Sequence, residues 1–210
     1  MLVGSTRDDS EGRRTMTGMG LSRPRGVSRI FFQEIREGDR RKLEARSNDA
    51  ATGGGARDLR APHEKFESMF RRMFPNDKVV NRRRDGMSVQ VTLYTGKLYW
   101  VDGDDERSVD VVYEPPTTAR PSEGRIARIH DLPVLANGVP AESEGRVFLL
   151  LVQRDDGKVF AHYATANALA SGGWNKDIAT AIRQCMQATP ESHSVRGYVD
   201  YVKPERYCHA

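Results

Sequence analysis

Apolar residues follow two periods along the chain, and each marks a different kind of element. Phe66, Met69, Phe70 and Met73 stand at i, i+3, i+4 and i+7 within residues 63–74, one stripe of a helix that opens after Pro62. Ile178, Ala181, Ile182 and Cys185 repeat that spacing within residues 174–186. Residues 88–95, 97–101, 108–113, 124–130 and 195–202 alternate or run β-branched and aromatic, which predicts strands. Residues 146–153 and 158–165 flank Asp155-Asp156-Gly157 and predict a hairpin, because Asp-Gly favours a tight turn. Residues 30–35 suit a strand or a short helix, and residues 40–46 read as a strand with Leu43 and Ala45 inward. The sum is about seven strands and two helices, mostly antiparallel. The expected fold class is mainly β, an open barrel or sandwich with helices closing its ends. No period of 20–50 residues recurs, so the chain is not a repeat protein.

Polar stretches set the expected limits of the domain. Residues 1–27 are rich in Ser, Thr, Gly and Arg, which predicts a disordered basic arm ahead of one folded domain over 28–210. Met16 and Met19 are alternative starts within it. Residues 47–55 and 114–118 are loops by composition. These stretches explain a hydrophobic content of 38%, below the usual ~45–50%. No run approaches the ~18 apolar residues of a membrane span, and the N-terminus has no apolar signal region. Two cysteines, Cys185 and Cys208, make no disulfide framework and fit a reducing compartment, so the expected location is cytoplasmic.

A net charge of +4 says little; its distribution says more. The cations are 26 Arg and 7 Lys, and Arg forks onto phosphates and guanine edges where Lys is a point charge. A GC-rich genome also inflates Arg, so position has to decide. Residues 1–62 carry 13 cations to 9 carboxylates, 63–86 carry 7 to 4, 87–116 carry 2 to 6, 117–130 carry 3 to 1 and 131–210 carry 8 to 9. Positive charge gathers in the first 86 residues and one later segment, a local excess of the kind phosphate contact needs. The acidic block Asp102, Asp104, Asp105 and Glu106 reads as a solvated hairpin tip facing away from any DNA.

Few residues offer catalytic chemistry. Gly53-Gly54-Gly55 lacks the Lys-Ser/Thr that would make it a phosphate loop. Cys185, His193, Cys208 and His209 lack paired zinc spacing, and Cys208-His209 sits at an expected frayed terminus. Asp156-Gly157-Lys158 has the Asp-x-Lys spacing of a Mg²⁺ nuclease, with Asp131 or Glu144 upstream, but a turn explains Asp156-Gly157 better. The most specific feature is a pair of polar loops, residues 46–57 and 118–128, each combining Arg with short amide, carboxylate or hydroxyl groups. Arg suits guanine, Asn adenine and Glu the cytosine amine. Glu123 between Arg120 and Arg125 would repel phosphate, so it fits base reading or the orienting of those arginines. A surface ion-pair cluster, worth little energetically, has the same composition.

The first loop carries Asn48-Asp49, then Ala51-Thr52-Gly53-Gly54 and a Leu-x-x-Pro exit at Leu59 to Pro62, before an amphipathic helix ending in Phe74-Pro75. This order resembles the N-terminal effector-binding domain of EcoRII-type restriction endonucleases. Arg120, Glu123, Arg125 and Ile126 resemble that domain's other recognition arm, and strand 147–153 and helix 174–186 follow in matching order. The resemblance covers roughly residues 28–200 and is weaker over 76–116. It implies a DNA-binding pseudobarrel, similar to plant transcription-factor domains, whose two arms grip the duplex from the major groove. Pro121-Ser122 is one residue longer than the family pattern, and Gly55 and Gly124 stand where the family shows polar or basic residues. Sequence preference therefore does not carry over. The chain ends at Ala210 with no nuclease domain following, which resembles the effector module alone.

The resemblance and the charge pattern together lead to an expectation of sequence-specific double-stranded DNA binding without catalysis, cofactor, metal or membrane partner. A separate nuclease or methyltransferase would act with it in restriction or phage defence. Lys42, Arg46, Arg57, Arg60 and the run Arg82–Arg84 would hold phosphates, and Asn48, Arg120, Glu123 and Arg125 would read bases. Ser47, Asp49, Thr52, Ser122 and Arg128 complete the two arms. A small Mg²⁺ nuclease using Asp156 and Lys158, or a module for a protein or small-molecule effector, are the alternatives.

Overall fold

A computed structural model of the protein describes residues 7–9, 13–15, 23–44, 58–61, 64–84, 86–116 and 124–209. In chain order the elements are β1 (Arg7–Asp9), β2 (Arg13–Thr15), β3 (Val27–Ile35), α1 (Glu37–Glu44), β4 (Leu59–Arg60), α2 (Glu64–Met73), β5 (Asn76–Arg84), β6 (Met87–Asp102), β7 (Asp105–Glu114), β8 (Arg125–Ile126), α3 (Pro133–Ala136), β9 (Val147–Arg154), β10 (Val159–Thr165), α4 (Ala166–Ala170), α5 (Lys176–Ala188), β11 (Arg196–Asp200) and β12 (Glu205–His209). The fold is mainly β with helices. It divides into two compact units, residues 1–38 with 138–210, and residues 39–137.

In the first unit β3 lies between β9 and β11, with β10 beyond β9 and β12 beyond β11, each neighbour antiparallel. Ile30, Phe31, Phe32 and Ile35 are buried on both faces of β3. An unbroken apolar run of this kind is a central strand, which settles the choice between strand and helix. α5 packs Ile178, Ala181, Ile182 and Cys185 into one cluster with Ile30, Phe32, Phe148 and Leu150. Each of the Ile, Leu and Phe side chains removed from water contributes about 1.5–3 kcal/mol. The Asn175 side chain starts α5 by accepting from the amides of Asp177, at 2.9 Å, and Ile178, at 3.4 Å. Arg146 donates to both carboxylate oxygens of Glu34 at 2.8 Å, and the Val195 amide adds a third bond at 2.9 Å. Burial would raise the Glu34 carboxyl, but these bonds hold it below the ordinary carboxylate range.

The β9–β10 hairpin forms where the sequence predicts it. Gly157 takes φ 85°, and Asp156 Oδ1 accepts from the Lys158 amide at 3.0 Å. The C-terminus departs from expectation. β12 is fully laddered to β11, and Tyr207 and Cys208 are buried rather than frayed. Cys208 is joined to Cys185 of α5 by a disulfide with a Cα–Cα distance of 5.5 Å. The two thiols expected to be reduced are therefore paired, and neither is available to a zinc ion.

In the second unit β6 pairs with β5 through its first half and with β7 through its second, and β7 continues through β8 to β4. The two strands expected over 88–101 are one strand of 16 residues. α2 buries Phe66, Met69, Phe70 and Met73 as its spacing requires, and Phe70 stacks on Tyr113 with centroids 4.3 Å apart. Residues 37–44 form α1 instead of the expected strand. An Arg40–Glu44 pair spans one turn and Arg41 and Lys42 sit at the helix C-terminus, while Leu43 is buried as expected. The strand expected over 124–130 is limited to β8, because the chain turns into a 3-10 turn at Ile129–Asp131.

Candidate nucleic-acid interface

The strand that follows the first polar loop meets the described end of the second in the second unit. β4 and β8 pair antiparallel, Leu59 with Ile126 and Arg60 with Arg125, and the Ala61 amide donates to the Gly124 carbonyl at 2.7 Å. β8 in turn pairs with the end of β7, Tyr113 opposite Ile126 and Glu114 opposite Arg125. The chain passes so close here that a Cβ on Gly124 would lie 2.6 Å from both the Ala61 carbonyl oxygen and the Tyr113 hydroxyl. Gly124 is thus required by backbone approach.

Four ionised side chains hold this junction. Glu114, 8% exposed, accepts from Arg82 Nη1 at 2.7 Å and from Arg82 Nη2. It also accepts from Arg125 Nε at 3.1 Å and Nη2 at 3.0 Å. Arg125 Nη1 lies 2.9 Å from Asp58 Oδ2, and Asp58 Oδ1 accepts from the Arg128 amide at 3.1 Å. β5, β7, β8 and the start of β4 are thereby joined by two cations and two carboxylates. Burial would raise the Glu114 carboxyl, but the bonds and charges of Arg82 and Arg125 hold it below the usual carboxylate range. The Arg82 guanidinium is raised by the same contact.

The structure places the expected site residues in three groups. Arg46, Ser47, Asn48, Asp49, Thr52, Arg57, Arg120, Ser122 and Glu123 lie outside the described residues. Arg60 and Arg128 are exposed beside the junction, and Arg128 takes a left-handed backbone, φ 54° and ψ 43°. Lys42 stands on α1, 3.6 Å from Asp39. Arg125 has a carboxylate facing each of its three guanidinium nitrogens, so its geometry suits holding the junction rather than the base contact expected of it. Arg82, expected on phosphate, is likewise committed to Glu114. Sequence reading missed Glu114 and Asp58, because the first was counted into the Pro115-Pro116 loop and the second stood outside both loops. No sequence spacing marks the pair, because Glu114 and Arg125 are brought together by the β7–β8 ladder.

The alternative chemistry is placed as follows. Asp156 is used in the β9–β10 turn, and Glu144 Oε1 accepts from the Ala141 amide at 3.2 Å. Asp131 pairs with His130 at 3.1 Å. Among the described residues no three His, Cys, Asp or Glu gather as a metal would need, and no helix is long and apolar enough to cross a membrane. No family model, curated protein or solved structure matches the chain.

Proposed function

We propose that the chain is a sequence-specific duplex DNA-binding module of the pseudobarrel type, gripping DNA with the segments 46–57 and 120–128. In this reading it works as the recognition part of a restriction or phage-defence system, with cleavage or methylation supplied by a separate protein. The observation that carries it is the β4–β8 ladder, which sets β4, just after the first Arg-bearing segment, beside β8 within the second. Two arms that must engage one duplex need a common, rigid root, and the Arg82–Glu114–Arg125–Asp58 set supplies it. Asn48, Arg120 and Glu123 read bases; Arg46, Arg57, Arg60 and Arg128 contact phosphates; Arg125 positions the arms.

Fluorescence anisotropy of the full chain on a random duplex pool, titrated from 50 to 200 mM salt, tests the reading. Measurable binding at 50 mM that weakens steeply with salt is expected, since each phosphate neutralised adds about 0.9 to the log–log slope. No binding at 50 mM would remove the proposal and leave a protein or small-molecule effector as the ligand.

A further inference from the structure

The β5–β6 ribbon has two unlike faces. Facing residues of an antiparallel ladder project to the same side. The register pairs Val79 with Thr92, Asn81 with Gln90 and Arg83 with Ser88 on one side, and Lys78 with Leu93, Val80 with Val91 and Arg82 with Val89 on the other. The second side faces inward near the ribbon's base, where Val91 and Leu93 are buried and Arg82 reaches Glu114. On the first side Asn81, Arg83, Ser88 and Gln90 are all exposed, and Val79 is 61% exposed. Among the described residues β5 pairs with β6 alone, so its outer edge is open. Asn in particular is depleted from strands, so folding does not call for this set.

We propose that this outer face is a further DNA-reading surface, with Asn81, Arg83, Ser88 and Gln90 entering the major groove of a duplex. It rests on the DNA-binding reading above and extends it to an element that the two arms do not include. The major groove, about 12 Å wide, admits a two-stranded ribbon whose strands lie about 4.8 Å apart. Arg offers a fork to guanine, Asn and Gln bidentate pairing to adenine, and Ser a hydroxyl to either. On the outer face the half nearest the turn carries the cation Arg83 and no carboxylate, with Asp77 at the ribbon's base, whereas the neighbouring β6–β7 hairpin tip exposes Asp102, Asp104, Asp105 and Glu106, so of the two a polyanion suits the ribbon face. Arg82, on the ribbon's other side, ties it to the Glu114–Arg125 junction.

The test uses the full chain with Arg83→Ala and with the Asn81→Ala/Gln90→Ala pair, on the duplex enriched from a random pool and on a scrambled duplex. Because the face is exposed, each variant should melt with the wild type. Each should lose about tenfold in affinity on the enriched duplex and less than about twofold on the scrambled one. Equal loss on both duplexes, with a shallower salt slope, would make Arg83 a phosphate contact and overturn base reading. Wild-type affinity in the ribbon variants, with loss in Arg120→Ala and Glu123→Ala, would remove the ribbon surface and keep the DNA-binding reading. A wild-type chain that binds no duplex would remove both. A concentration-dependent dimer abolished by Val79→Lys would assign the edge to a second copy and overturn the proposal.

Discussion

Glu114→Gln isolates the charge at the centre of the junction. Gln has nearly the same shape, so the substitution keeps the packing but removes the negative charge and turns one of the two acceptor oxygens into a donor facing a guanidinium. Glu114 is 8% exposed and takes bonds from two guanidiniums. Removing one partner of a buried ion pair costs about 3–5 kcal/mol. Arg82 and Arg125 keep 33% and 18% of their side-chain surface in water and recover part of their hydration, so the expected loss is about 2–3 kcal/mol. Urea denaturation at pH 7 should show a lower midpoint with an unchanged slope. The pH dependence gives a second signature. The folded carboxyl titrates below its unfolded value, so its contribution is complete above the unfolded pKa of about 4.3 and disappears as pH falls through the folded pKa. The gap between wild type and Glu114→Gln should therefore narrow on acidification below that point. A loss under about 0.5 kcal/mol, or a gap that stays constant from pH 7 to pH 3, would refute the account of the junction.

Other expectations follow from single geometries. Gly124→Ala must displace both the Ala61 carbonyl and the Tyr113 hydroxyl from the added methyl, and should destabilise by about 1–3 kcal/mol in thermal melts; an unchanged melting temperature would contradict the close approach. Arg128→Gly relieves a left-handed backbone and should stabilise by about 1 kcal/mol, while the lost cation weakens duplex binding and flattens its salt slope; unchanged affinity would take Arg128 off the phosphate. The Cys185–Cys208 bond spans 23 positions and is worth about 3 kcal/mol on a chain-entropy account. Adding reductant should then lower the melting temperature by roughly 6–12 °C. Two free thiols titrated in denaturant without reductant would show the bond absent.

The parts of this fold visible in the sequence are those whose local pattern and packing agree. α2 and α5 each present one apolar stripe to one cluster, and the β9–β10 hairpin has both apolar strands and the Asp-Gly turn. β5 is not legible, because Asn76 to Arg84 is largely polar and becomes a strand through its ladder with β6. α1 misleads because Leu43 alone marks its buried face, and one apolar position cannot fix a period. β12 is short, and its pairing depends on β11 closing a tight turn. The junction is partly legible. Arg125 stood out by composition, but its role depends on Glu114 and Asp58, 11 and 67 positions away in the chain. No local spacing encodes that meeting; the β7–β8–β4 ladder does. The arm residues Asn48, Arg120 and Glu123 remain as the sequence places them.

The central claim is that the chain reads a duplex sequence through its two arms. Selection of the full-length protein against random duplex DNA, followed by sequencing, tests it most directly. The account predicts one enriched motif of a few base pairs, and loss of that motif in Arg120→Ala and Glu123→Ala while salt-sensitive binding to unselected duplex persists. A bound pool as random as the input, or an enriched motif unchanged by both substitutions, would contradict it.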